Sequence, residues 1–187
     1  MPSAREPLFW IDLVMTGIDP DRCHIIEMDT LVTDPDLTVL AEGPQIVIHR
    51  SEEELETLSD WSREQFTRSG LLDRVRASTV SGAEAEAATL AFLQGHCTAQ
   101  KSPLCGNSVH TDRMFLYRHM RSLHDFLHYR NLDVSSFKEA LSRWHPDAFA
   151  PPPKEERHEA MIDIRESIEE LRYYRDAFVN LPLSRES

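Results

Sequence analysis

Basic residues are the scarce class in this 187-residue chain: 20 Lys and Arg stand against 32 Asp and Glu, a net charge of −12 with histidines neutral. Proteins that track long nucleic acid draw affinity from many Lys/Arg–phosphate contacts, so a long polymer is not the expected partner. A very short oligonucleotide, or a cation held by carboxylates, stays open. Cysteine is scarce too. Cys23, Cys97 and Cys105 are odd in number, widely spaced and form no CxxC pair. No disulfide framework is expected, and a reducing cytoplasm suits them. No run of 18 apolar residues exists, which excludes a transmembrane helix and gives no reason to expect a membrane partner. Residues 1–7 (MPSAREP) lack the apolar stretch of a secretory signal, so none is expected. Internal repeats and low-complexity segments are also missing. What remains is 41% apolar and 28% charged, enough for one core at a length typical of one domain. A single domain over 1–187 is expected, its core at about 7–179 and its ends frayed.

Apolar alternation and turn residues sort the chain into elements. The run LFWIDL (8–13) reads as a strand, as do 24–33 and 38–49, separated by the GIDPDR turn (17–22) and by Asp34-Pro35-Asp36. Three strands joined by short turns predict an antiparallel meander. After residue 50 the period lengthens. Short helices are expected over 51–76, and Ser81 with Glu84 has capping-box spacing ahead of a helix reaching about Cys97. Strands at 102–107 and 132–134 alternate with helices at 111–120 and from Ser136 to Trp144. In the last helix (156–178), Met161, Ile164, Ile168, Leu171, Tyr174 and Phe178 recur every three or four residues. The pattern predicts an α/β fold: a mixed five-stranded sheet, three antiparallel strands followed by βαβ units, flanked by helices.

Asp12 stands out because it interrupts an apolar strand, where an unpaired charge is costly. Asp112 follows a strand near a helix start and Asp163 lies in the last helix. Each could be a cap or a surface charge. Converging, they would suit a hard cation such as Mg²⁺ or Mn²⁺, and two such ions can clamp a phosphodiester. His158, five residues before Asp163, has the near-neutral pKa of a general base or is an ordinary helix-start histidine. His124 and His128 have the i, i+4 spacing of zinc helices, but no clear third ligand follows them. His128-Tyr129-Arg130, with Ser108, Ser135 and Ser136, could bind a phosphate; the last two serines are also natural helix caps. Trp61, in a polar segment, is a base-stacking platform or a helix anchor.

Extended stretches carry a stronger signal: WIDLVMTGIDP (10–20), AEGP (41–44), SGLLDRV (69–75), KSPLCGNSVHTDRMFL (101–116), HYRNLDVSSFKEALSRW (128–144) and HEAMIDIRESIEELRYYR (158–175). Over about 7–179 the chain resembles the oligoribonuclease family, DEDDh-type 3′→5′ exonucleases with a ribonuclease H-like fold. The resemblance implies hydrolysis of very short oligoribonucleotides, dinucleotides above all, to nucleoside 5′-monophosphates. It implies two divalent ions, Mg²⁺ or Mn²⁺, on Asp12, Asp112 and Asp163, with His158 as general base. It further implies base wedging by Ile18 and Trp61, and a 5′-phosphate cap from Ser108, Arg130, Ser135 and Ser136 beside Tyr129. A cytoplasmic homodimer is implied, the 128–136 stretch of one subunit completing its partner's site. The chain departs from the family's Asp-x-Glu motif, since Val14 holds the Glu position. Phe66, Met114 and Ile162 stand where His, Arg and Asp are usual. Val14 predicts a rate deficit unless another acid, such as Glu27, substitutes. The alternative is a weak or inactive relative that binds short oligonucleotides.

Overall fold

The structure is a computed structural model that describes residues 6–144 and 160–180, with side chains of the final helix from 161 to 176. Strands β1 (Leu8–Met15), β2 (Ile25–Thr33) and β3 (Val39–Val47) form the expected antiparallel meander. β4 (Leu104–Gly106) and β5 (Asn131–Asp133) add in parallel, giving the sheet order β3-β2-β1-β4-β5. The mixed five-stranded α/β architecture is therefore as the sequence pattern predicts. Helices α1 (Glu52–Leu55), α2 (Asp60–Arg68) and α3 (Leu71–Ala77) follow the meander, then α4 (Gly82–His96). Ser81 and Glu84 make the predicted capping box at the start of α4. Beyond β4 come α5 (His110–His119) and α6 (Arg121–Phe126), and after β5 come α7 (Val134–Trp144) and α8 (Ala160–Asn180).

Two cores sandwich the sheet. Phe9, Ile11 and Leu13 of β1 pack with Met28 and Val32 of β2 beneath Leu93, Phe115 and Leu123 of α4, α5 and α6. On the other face, Trp10 and Leu31 meet Leu141 of α7 and Ile164, Ile168, Leu171 and Tyr174 of α8. The three-and-four periodicity of the last helix thus marks its buried side. Trp10 is fully buried, and its indole N–H donates to Thr33 Oγ1 at 3.0 Å, which satisfies its one polar atom. A third cluster joins Ile26 to Leu55, Leu58, Leu71, Leu72 and Val75 of the short helices.

The structure revises three local expectations. Residues 121–126 are helical, an element not anticipated from the sequence; α6 ends at Phe126, so His128 lies beyond it. The two histidines therefore share no helix face, and His124 Nδ1 instead meets Asp125 Oδ1 at 2.9 Å. The second revision concerns α7, which begins at Val134, ahead of the expected Ser136. Its first-turn acceptor is Asp133, whose Oδ1 takes the Ser135 N–H at 3.0 Å, so neither Ser135 nor Ser136 is the cap. Third, β1 runs on to Met15, which puts Val14 inside the strand. The expected helix start at 156–159 lies outside the described residues.

Candidate active site

Strand geometry decides which acids meet. Asp12 and Val14 are two apart on β1 and so share a face. In the β1–β2 ladder Asp12 is opposite Asp29, and Val14 is opposite Glu27. Opposed residues also share a face, so three carboxylates and one isopropyl group line this patch. Asp112 joins from α5. It is buried, and its Oδ1 accepts the Leu13 backbone N–H at 3.1 Å. β4 pairs with β1 only at Phe9 and Trp10; farther along, the carboxylate takes the place of a strand partner. Asp163 arrives in the first turn of α8.

These groups repel one another at short range. Burial pushes the Asp12 carboxyl well above its ordinary value, and the charges of Asp112, Asp163, Asp29 and Glu27 push it further. Burial raises Asp112 to about 7, against the opposing Leu13 N–H. Burial and then Glu27 raise Asp29 to about 6, opposed by the Met161 backbone N–H and by Arg74. Glu27 has a cation of its own, Arg74 Nη1 at 2.9 Å from Oε1. Among the described residues, no three His, Cys, Asp or Glu side chains converge closely enough to hold a metal ion as they stand. The donor set still fits a divalent cation: all oxygen, anionic and deficient in positive charge.

The phosphate-site residues of the sequence reading are partly brought together. Ser108, held at φ +51, donates its N–H to Asp133 Oδ1 at 3.0 Å and Ser135 Oγ at 2.8 Å. The Ser108 and Ser135 hydroxyls are 3.2 Å apart, and Ser135 Oγ donates to Asn107 Oδ1 at 3.1 Å. Ser136 is exposed in α7. Arg130 lies with its guanidinium carbon 5.4 Å from the exposed Tyr129 ring. Arg113 steadies that segment by donating to the carbonyls of His128 and Arg130.

Ile18 and Trp61 are 83% and 63% exposed, unusual for large apolar groups and suited to contact with a base. Ile18 sits in the turn after β1, where a Cβ on Gly17 would come within 2.7 Å of Cys23 Sγ. Trp61 is in the first turn of α2, behind the Ser59 cap. Phe66 packs against the Ile26 cluster, and Met114 is exposed on α5. His158 lies outside the described residues. Sequence reasoning did not single out Asn107, Asp133 or Asp29. The signal for Asp29 was the one that marked Asp12, an acid inside an apolar run.

A family model described as exonuclease matches residues 9–171. The chain belongs to that exonuclease family. It is 58% identical over 176 residues to the oligoribonuclease of Pseudomonas paraeruginosa, covering 94% of this chain and 98% of the relative. To the Escherichia coli K12 oligoribonuclease it is 51% identical over 181 residues, covering 97% and 100%. Among solved structures, E. coli exonuclease I in its zinc-bound complex with single-stranded DNA superposes with a TM-score of 0.72 at 15% identity. That match covers 94% of this chain and 42% of the other. Exonuclease I from Methylocaldum szegediense gives 0.68 at 17% identity, covering 93% and 41%. The chain thus spans about two-fifths of each of these larger structures, and at such identity they share its fold alone. Asp12, Asp112 and Asp163 all fall within the matched exonuclease span.

Proposed function

We propose that this exonuclease-family chain is a 3′→5′ exoribonuclease acting on very short oligoribonucleotides, dinucleotides above all, and releasing nucleoside 5′-monophosphates. The observation that carries the reading is the meeting of acids from β1, α5 and α8 around Asp12, with Asp112 and Asp163 both raising its carboxyl. Asp12, Asp112 and Asp163 would hold two divalent cations, Mg²⁺ or Mn²⁺, which supply electrostatic stabilisation of charge developing on the phosphodiester oxygens. His158 takes the proton of the attacking water at an imidazole nitrogen. The water oxygen bonds to phosphorus, the P–O3′ bond breaks, and the 3′ oxygen leaves as an alkoxide that takes a proton from solvent water. Ile18 and Trp61 contact the bases. Ser108, Arg130, Ser135 and Ser136, beside Tyr129, hold the 5′-phosphate, a pocket that measures substrate length. A net charge of −12 agrees with a short substrate and disfavours long polymer.

The same reading takes 1–187 as one exonuclease domain, acting as a cytoplasmic homodimer in which the 128–136 stretch reaches the partner's site. No helix among the described residues is long and apolar enough to cross a membrane. Sedimentation should give twice 21.6 kDa at micromolar concentration; a monomer alone would refute the dimer. A 5′-phosphorylated diribonucleotide, incubated with Mg²⁺, Mn²⁺ or EDTA, tests the activity. Monophosphates should form with either ion and not with EDTA. The packing of Val14 against the apolar Ile26 cluster favours a second reading, a weak or inactive binder of short oligonucleotides. Calorimetric binding of the dinucleotide without cleavage under any of these conditions would select it.

A further inference from the structure

Two carboxylates on β2 face the acid patch, and their surroundings treat them differently. Glu27, opposite Val14, is bonded by Arg74 at 2.9 Å. That ion pair commits it elsewhere, so Glu27 is not the substitute for the missing acid at position 14. Asp29, opposite Asp12, forms no ion pair among the described residues. It is 5% exposed, and the Met161 backbone N–H at the start of α8 donates to its carboxylate. Its Oδ1 is buried with no hydrogen-bond partner among the described residues. A buried carboxylate oxygen without a partner carries the full cost of lost hydration. Here it also stands on the same face as Asp12, a neighbour of like charge. Arg74, the cation on that face, is committed to Glu27, and neither Asp12 nor Asp29 has an ion-pair partner among the described residues.

We propose that Asp29 supplies the metal-binding carboxylate that Val14 does not, the ligand having moved from two residues along β1 to the position directly across on β2. The cation site of this chain is then Asp12, Asp29, Asp112 and Asp163. This rests on the metal-dependent reading of the site given above. The free Oδ1 is the atom available for coordination, because binding a cation there breaks no existing hydrogen bond. The carboxylate's bond to Met161 meanwhile ties the ligand to the helix that carries Asp163. A purely structural Asp29 would do only the second task, and the two roles separate by substitution. In Asp29→Asn the amide oxygen can still accept the Met161 N–H, while the anionic ligand is gone.

Mn²⁺ binding, followed by calorimetry and by electron paramagnetic resonance of the free ion, is measured for the unmodified chain, Asp29→Asn, Val14→Glu and the double variant, beside thermal unfolding without metal. Asp29→Asn should lose about tenfold or more in Mn²⁺ affinity while its metal-free melting temperature holds or rises. Val14→Glu combined with Asp29→Asn should recover affinity to within about threefold of the unmodified chain, a non-additive pair. Unchanged affinity in Asp29→Asn overturns the proposal. So does a loss accompanied by lower melting that Val14→Glu fails to restore, which makes Asp29 a positioning residue for α8. If Asp29→Asn binds Mn²⁺ normally and the unmodified chain still cleaves dinucleotide, only the Asp29 assignment falls. If neither the unmodified chain nor Val14→Glu binds Mn²⁺, the metal-dependent reading falls with it.

Discussion

Strand β1 sends Phe9, Ile11 and Leu13 to one face of the sheet and Trp10, Asp12 and Val14 to the other. The first face meets α4, α5 and α6 mainly with hydrocarbon, Thr30 and Thr89 being its neutral buried polar groups. Over the second, α7 and α8 cover Trp10 and Leu31, but one step along the strands the opposed pair becomes half-buried Asp12 and buried Asp29. Apolar burial contributes about 25 cal/mol per Å², whereas a buried unpaired acid subtracts. Stability is therefore concentrated on one side of the sheet, and that surplus lets the other side keep Asp12 and Asp29 opposed with only Glu27 of the patch ion-paired, to Arg74. Shared strands make the division sharp, because neighbouring residues on one strand serve opposite ends.

Substitutions on the two faces should fail in different ways. The largest effect is expected from His158→Ala, which removes the proposed general base: turnover should drop roughly 10²–10⁴-fold with the melting temperature unchanged. Full turnover across pH 6–9 would remove the base assignment. Leu93→Ala, on the hydrocarbon side, should do the reverse. Leu93 is fully buried in α4, so denaturant unfolding should show a loss of about 2–5 kcal/mol, with kcat preserved where the protein stays folded. A fall in kcat matching that of His158→Ala would erase the division.

Arg130→Ala tests whether substrate binding is separable from both faces. It should weaken calorimetric binding of 5′-phosphorylated dinucleotides by about 1.5–3 kcal/mol and leave dinucleotides lacking that phosphate nearly unaffected. Equal losses for the two ligands would dismiss the phosphate-cap role. Next in size is a pH effect. The folded carboxyls of Asp29 and Asp112 titrate near 6 and 7, above their ordinary 3.8. Folding thus favours their protonated forms, and the metal-free protein should lose stability as pH rises from about 4 through 7. Asp112→Asn keeps an acceptor for the Leu13 N–H and removes the charge, so it should flatten that loss by at least about 1.4 kcal/mol, the equivalent of one pKa unit. An unchanged pH profile in urea titrations would show that the acid face stores no such repulsion. The smallest effect belongs to Val14→Glu. It sets a second acid directly opposite Glu27 and should cost roughly 0.2–1 kcal/mol of metal-free stability. Mn²⁺ should restore that loss, and a variant stabilised without metal would contradict the crowding of charge described here.

The meander was legible because apolar alternation and the Asp34-Pro35-Asp36 turn act locally, and α8 was legible from the spacing of Ile164, Ile168, Leu171 and Tyr174. Asp12 was legible as an acid in an apolar strand. Asp29 was not, because its importance lies in register. It carries the same signal within its own strand, but that it opposes Asp12 is set by the β1–β2 pairing, and periodicity within one strand says nothing of that offset. α6 went unread since six residues, two of them Arg121 and His124, offer too little pattern. Asp133 escaped notice because it ends a three-residue strand, and its service to Ser108 and Ser135 becomes visible only once β4 and β5 lie side by side. The roles given to Asp112, Asp163 and His158 come from resemblance and chemistry rather than from spacing.

The three tryptophans occupy two optical worlds. Trp10 is sealed from water two residues from Asp12, its indole bonded to Thr33, whereas Trp61 and Trp144 are about two-thirds exposed. Acrylamide or iodide should therefore quench most of the native fluorescence yet spare a blue-shifted component from Trp10. That component reports the integrity of the sheet beside the acids. A base stacking on Trp61 would alter only the quenchable part. Unfolding and ligand arrival thus write to separate channels of one unlabelled spectrum.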